Sequence, residues 1–547
     1  MDILSDILGK VDEPEPPLRD IDDSVHHVRV RRIPNMHAFG ALGANAEEGV
    51  DSRLPAPEQP LFCRLTEPQL AELIERYVDY TDRTGRSVHL GKSFVQHFMV
   101  RADGLPLAVA IATLPLVLGD GALLKGPGLD RDRGIVFRVP SELEALLPER
   151  QACTASAVAE AMRFLCDEWL VDVATGYVGK ATLIAAALSV IERSLLPDRP
   201  VFWVTAGRRS GGKTTTLIML LVAVTGIRPA AAAWSSNEEE RRKALFAYLL
   251  EGAPYIIWDN IARGTQISCP HIEKSCTSAI YSDRKLGVSE AIATSAATLN
   301  FFTGNNVGPK GDLASRSLTI RLDVDRPDPE NREFKYPDPV GWTEAHRGKI
   351  LRALYTILLG NPAFAGGAHS AAPVQTRFKM WWGLVGQAVE FAAKQHKEHV
   401  AGLVMDAHPT CPPVAINFKN IFLDQEDDDE ETASLVDVLT ILANHWARPE
   451  TPRGKNYFYA ADVAKLINHN GDAVAEDVRE QAMTVREFLF PHIPAAAVIT
   501  SKSAGRRLRR HVDEPVRGGD GQTLILRSWF DKHTKIWGFH VVCKNAA

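Results

Sequence analysis

An α/β fold is what the 547-residue sequence predicts, and three observations predict it. From position 196 to 335, strand-like and helix-like segments alternate, the pattern of a parallel sheet covered by helices. An apolar run, VFWVT (Val201 to Thr205), passes through a glycine-rich stretch straight into an apolar helical run, TLIML. Two further apolar runs, YIIW and TLNFFT, each stop on polar residues, Asp259 and Asn305.

The flanks differ from this core. Residues 1–60, rich in Pro, Asp and Gly and without sustained periodicity, read as a mobile leader with short ordered pieces. Residues 61–195 mix a helix-like stretch (EPQLAELIERYVDY) with short apolar runs broken by Gly and Pro. They predict an N-terminal α+β domain ending in two linker helices, around Ser156 to Val171 and Ala181 to Leu195. Helical patterns dominate 336–423, and the acidic run at 424–431, DQEDDDEE, reads as a solvated linker. Residues 432–547 read as three helices (SLVDVLTILANHW, YFYAADVAKLINHN, TVREFLFPHI), a basic helix and a two-stranded hairpin. The basic helix begins at a Ser cap and carries Arg506, Arg507, Arg509 and Arg510.

Composition narrows the class of protein. Hydrophobic residues make up 45% and charged residues 24%, as in a soluble globular protein. The longest apolar run, Leu105 to Leu118, is broken by prolines and too short to span a bilayer, and MDILSDILGK lacks the pattern of a signal peptide. Seven scattered cysteines suggest reduced thiols, and the expectation is a cytoplasmic protein without a membrane partner. Net charge is −6, yet from position 451 onward fifteen Lys and Arg face ten Asp and Glu. A basic terminal region on an acidic body is compatible with polyanion binding and equally with a plain solvated face.

The segment Gly207-Arg208-Arg209-Ser210-Gly211-Gly212-Lys213-Thr214-Thr215 has the spacing G-x-x-x-x-G-K-T between a strand and a helix. Glycines let backbone N–H groups turn inward around phosphate oxygens, and the helix N-terminus adds its positive dipole. Lys213 would pair with the β- and γ-phosphates of ATP, and Thr214 with Asp259 would hold Mg2+. Asn260 follows Asp259 where a carboxylate would polarise water; an amide orients water but takes no proton. Glu238 to Glu240 are the nearest other carboxylates, and as the first turn of a helix they also serve its dipole. Asn305 and Asn306 end a strand expected between the other two, where an Asn reaches the γ-phosphate; the alternative is a turn. Cys269, His271 and Cys276 offer three local ligands in no usual zinc spacing. Asp130 and Asp132 form a carboxylate pair in a Gly- and Arg-rich loop, not on an apolar strand.

This order of motifs, followed by GDLASRSLTIRLD, resembles the AAA+ hexameric helicases, close to the superfamily 3 and MCM-like helicases of phages, satellites and integrative elements. The likeness covers roughly residues 200 to 360. It implies an AAA+ core with a helical lid and a C-terminal winged-helix domain, assembled as a homo-hexamer around DNA. It also implies an arginine finger at Arg316 acting on the neighbouring subunit, with Arg321 in reserve and Arg347 or Arg352 as a second sensor. A channel hairpin is implied at YSDRKLGVSEAIATSA, with Arg284 and Lys285 near a tip at Gly287 gripping a single strand; Arg284 equally suits a structural role. Duplex DNA would meet the Arg506 to Arg510 helix. Asn260 departs from the family's acidic pair and puts the base in question. The expected function is therefore an ATP-dependent helicase or replication initiator. Two alternatives stay open: an AAA+ regulator or loader that hydrolyses ATP without unwinding, and an NTPase unconnected with nucleic acid.

Overall fold

The computed structural model describes residues 18–19, 25–31, 59–100, 105–207, 211–284, 291–323, 334–364, 376–401, 411–427, 430–446, 457–468, 476–490, 497–513, 515–517, 522–531 and 536–544. The chain divides into two compact units, Met1–Phe422 and Leu423–Ala547.

The first unit is mixed α/β. Its helices include α1 (Ala155–Phe164), α2 (Tyr177–Glu192), α3 (Lys213–Thr225), α4 (Glu238–Leu250), α5 (Pro270–Cys276), α6 (Arg347–Leu359) and α7 (Gln387–Ala401). Its central strands are β1 (Val201–Ala206), β2 (Ala232–Ala233), β3 (Tyr255–Ile261), β4 (Ile280–Arg284), β5 (Ala291–Ser295), β6 (Leu299–Asn305) and β7 (Ser317–Leu322). Five of them form one parallel sheet in the order β2-β3-β6-β1-β7, while β4 and β5 pair antiparallel as a hairpin.

All six residues of β1 are buried, as a strand covered on both faces requires, which is why its sequence is a continuous apolar run. Aromatic side chains set the register. Trp203 of β1 stacks on Phe302 of β6 with ring centroids 4.1 Å apart, and Phe202 stacks on Phe301 at 5.7 Å. Trp258 of β3 is Cα partner to Phe302 on the other side. The buried indole N–H groups are satisfied, Trp203 donating to Ser317 Oγ and Trp258 to Asn300 Oδ1, each at 2.9 Å. Losing one of these rings would cost about 3–5 kcal/mol and would loosen the alignment of the strand ends.

The two helices read as linkers are not surface connectors. They begin earlier than the periodicity suggests: α1 starts behind a Thr154 cap whose Oγ1 accepts from Ala157 N, and α2 starts at Tyr177. Fourteen of the sixteen residues of α2 are buried. Its polar side chains are satisfied within the unit: Lys180 donates to Cys166 O at 2.9 Å, Ser189 Oγ accepts from Trp381 Nε1 at 2.7 Å, and Glu192 accepts from Val117 N at 3.0 Å. The 336–423 segment belongs to that same core through α6 and α7. Within the stretch read as a mobile leader, Leu18–Arg19, Val25–Arg31 and Gln59–Arg64 form a three-stranded antiparallel sheet. The rest of positions 1–58 lies outside the described residues. Most of the acidic stretch is helical: positions 424–427 end the helix Phe418–Asp427, and Glu430 opens the next.

The second unit contains α8 (Glu430–His445), β8 (Tyr457–Tyr459), α9 (Ala460–Asn468), α10 (Glu476–Leu489), α11 (Ser501–Leu508), β9 (Pro515–Arg517), β10 (Thr523–Asp531) and β11 (Ile536–Lys544). Its sheet runs β8-β11-β10-β9, antiparallel throughout. The sequence predicts only the β10–β11 hairpin. It extends the helix back over Tyr457 to Tyr459, which are strand β8, because the helical run of α9 follows without a break. Phe458, Leu524, Leu526 and Phe539 face inward and build the core with α8, α9 and α11.

Candidate nucleotide-binding site

The ends of β1, β3 and β6 converge at one edge of the parallel sheet. Register places Asn305 opposite Ala206, so the Asn-bearing strand lies between the strand feeding the glycine-rich loop and the strand carrying Asp259. Gly207 follows β1; Arg208, Arg209 and Ser210 lie outside the described residues. Gly211 is buried, and Gly212 caps α3 at φ 83, left-handed backbone that a glycine adopts without strain. Gly226, at φ 75, closes the helix by donating its N–H to Val222 O at 2.8 Å.

Lys213 opens α3, and its Nζ donates to Asn305 Oδ1 at 2.8 Å. Burial lowers the lysine's pKa and nearby Asp259 opposes the shift, leaving a net depression. A half-buried ammonium with an amide oxygen as its partner is poised for an anion. Thr214 and Thr215 are exposed on the first turn of the helix.

Asp259 stands where β3 leaves its pairing with β6, the register shifting between Trp258 and Ile261. Its Oδ1 accepts the Asn260 N–H at 2.7 Å. Asn260, at the irregularity within β3, has φ 61, and Asn306, after β6, has φ 50; both use the left-handed region, where Asn is tolerated better than most residues. After Asn306 the chain returns over Gly304, and Val307 N donates to Thr205 Oγ1 at 3.2 Å. A Cβ on Gly304 would lie 2.7 Å from Val307 Cγ1, so a glycine is needed at that approach.

Two features eluded the sequence reading. Arg263, in the turn after β3, brings Nη2 to 3.4 Å from Gly207 O and sets a cation beside the loop. The only sequence signal was a turn, Ala262 to Thr265, soon after Asp259. Arg316 also differs from a free finger. Its Nη1 donates to Glu273 O at 2.8 Å and Thr277 Oγ1 at 2.9 Å, and its Nη2 pairs with Asp312. Asp312 holds Arg377 as well, at 2.8 Å. With 16% of its side chain exposed, Arg316 joins the turn Gly311–Arg316 to α5 within its own chain. Arg321 is exposed on the edge strand β7.

Arg347 and Arg352, the expected second sensors, each donate to a backbone carbonyl. Arg347 is buried and donates to Val224 O at 2.9 Å; burial lowers its pKa to about 10. Val224 lies at the far end of α3, about 16 Å from Lys213 at 1.5 Å per residue. Arg352 donates to Leu146 O at 3.2 Å. The carboxylates at the start of α4 are also occupied: Glu239 pairs with Arg242, Glu240 with Lys243, and Glu238 lies 3.6 Å from His271. Arg242 also pairs with Asp283 of β4 and so ties α4 to the hairpin. Arg284, the last residue of β4, is exposed; Lys285 and Gly287 lie outside the described residues.

In the second unit, α11 begins behind Thr500, whose Oγ1 accepts from Ser503 N at 3.2 Å; the cap is therefore a threonine one residue before the expected serines. Arg506 and Arg509 are exposed, Arg509 donating Nε–H to Gly505 O at 3.1 Å, and Arg507 lies over the Phe490 ring at 5.9 Å. The Arg510 side chain lies outside the described residues. Among the described residues, no helix is long and apolar enough to cross a membrane. No group of three or more His, Cys, Asp or Glu that could hold a metal ion occurs among them.

No family model matches the chain, and no curated protein matches it. Among solved structures it is similar to the apo A form of the NrS-1 C-terminal region, residues 305–718, at 11% identity with a TM-score of 0.34, over 89% of this chain and 94% of that one. At that score the likeness carries no functional argument.

Proposed function

We propose that this chain is an ATP-dependent, ring-forming DNA helicase or replication initiator of a mobile genetic element, with an AAA+ core and a C-terminal winged helix. The observation that carries the reading is the Lys213–Asn305 bond at 2.8 Å, with Asp259 on the adjacent strand. It joins the phosphate lysine to the polar end of the inserted strand, where a γ-phosphate would replace their mutual contact. The exposed Thr214 hydroxyl and the Asp259 carboxylate are oxygen donors suited to Mg2+, which would neutralise phosphate charge when bound. Asn305 would orient the attacking water. For DNA, support comes from the β4–β5 hairpin ahead of β6 and from the order of the second unit. There a short strand, β8, pairs with the far strand of a hairpin that follows a basic helix, the arrangement of a winged helix. The homo-hexameric ring and the mobile-element origin rest on the sequence resemblance.

The second reading, an AAA+ regulator or loader that does not unwind, is favoured by two observations: Asn260 in place of a carboxylate, and the inward ties of Arg316. One set of experiments separates them. Lys213→Ala should abolish ATP turnover without unfolding the protein, and wild type should displace a strand from forked DNA. Persisting turnover in the folded mutant would end the nucleotide assignment; turnover without displacement would leave the regulator. Mixing Arg316→Ala with Lys213→Ala subunits should restore turnover only if Arg316 leaves Asp312 to act across an interface.

A further inference from the structure

The sheet of the second unit has one face committed to its core and another that is not. On the outer face, strand alternation places Tyr457 and Tyr459 of β8, Gly538 and His540 of β11, and Arg527 and Trp529 of β10. Trp529 and Tyr459 each have Gly538 as Cα partner. A Cβ on Gly538 would fall 2.3 Å from the Trp529 ring, so the indole lies across the backbone where a side chain would otherwise stand. Tyr457, 50% exposed, meets that indole at 5.4 Å with an interplanar angle of 88°. Tyr459 and His540 approach it at 6.4 and 5.6 Å. The result is a half-buried aromatic floor with an upright aromatic wall, on a face that also carries Arg527, 45% exposed and paired with Asp513 at 2.6 Å.

We infer that this face is a stacking platform for single-stranded nucleic acid, with a base lying on Trp529 against Tyr457. Every base has a π-face, so aromatic platforms bind single strands with little sequence preference, and Arg527 on the same face offers a cation to the phosphates. A paired duplex keeps its bases stacked on one another and cannot use the floor. The platform rests on the second unit's being a nucleic-acid module, but it uses none of Arg506, Arg507, Arg509 or Arg510. The duplex contact and the single-strand contact therefore belong to different surfaces of one unit.

The test is anisotropy of labelled dT20 and of a labelled 20-base-pair duplex with the full chain, each over a salt series. Tyr457→Ala, at an exposed position, and Trp529→Ala should weaken dT20 binding about ten-fold per lost stacking contact. Trp529→Phe, which keeps a π-face, should retain most of the affinity and guards against misfolding. Stacking releases no counterions, so the salt slope for dT20 should stay at its wild-type value, and duplex affinity should not change. Unchanged dT20 affinity in both alanine variants would overturn the platform while leaving the DNA reading intact. Equal losses for dT20 and duplex would also overturn it. Absence of binding to either probe by wild type would overturn the platform and the DNA reading together. A dimer lost in these variants without change in dT20 affinity would assign the face to a second copy of the chain.

Discussion

Glu192, at the end of α2, is fully buried, and its carboxylate accepts Val117 N at 3.0 and 3.3 Å. Burial holds the carboxyl well above its ordinary 4.5, the Val117 bond offsetting only part of the shift. The folded state therefore keeps a proton that the unfolded chain releases near that ordinary value. The corresponding stability is complete below about pH 4.5 and declines as pH rises, by about 1.4 kcal/mol per unit, until the folded group itself ionises. Glu192→Gln should raise the urea midpoint at pH 8 and leave it nearly unchanged at pH 4. Asn260 poses a backbone question. At φ 61 a side chain other than Asn, Asp or Gly costs about 1 kcal/mol or more. This favours Asn at that position. Asn260→Gly should keep the wild-type urea midpoint, whereas Asn260→Glu should lose about 1 kcal/mol. Legibility at this scale follows reach. The glycines and Lys213 were legible because a glycine-rich turn between a strand and a helix involves neighbouring positions in the chain. Arg263, Arg316 and Arg347 did not, because a long side chain's destination is set by whatever packs nearby, and Glu192 looked like an ordinary polar position on a helix.

Helix α11 presents its arginines unequally. Arg506 is exposed, Arg509 has one nitrogen engaged with Gly505, and Arg507 rests over Phe490. Each phosphate contact contributes about 0.9 to the slope of log affinity against log salt for duplex DNA. Replacing Arg506, Arg507, Arg509 and Arg510 together by alanine should flatten the duplex slope by roughly 1 to 4 and spare basal ATPase, as a salt titration beside a turnover assay would read. Substituting Arg284 and Lys285 should leave that slope alone and uncouple hydrolysis from strand displacement. Strands with continuous apolar runs, β1, β3 and β6, were readable without help because burial on both faces writes itself into composition. Strand β8 was not, since three residues (YFY) become a strand only when β11 lies beside them.

The molecule's two units each enclose a hydrophobic core of their own. The second, at about 125 residues, falls within the usual domain size. A fragment of residues 428–547 should unfold in one cooperative urea transition and retain duplex binding. The strand order of the first unit also bears on how the chain is made. Within the central sheet β1 pairs with β6 and β7 alone, and 93 positions separate its end at Ala206 from Leu299. At about 5–20 residues per second a ribosome takes roughly 5–20 s to cover that stretch. Throughout that interval VFWV has emerged before any strand that will cover its hydrogen-bonding edges. The glycine-rich loop hangs from this waiting strand, so the newborn chain must be shielded, or stay clear of its neighbours, until Asn305 arrives.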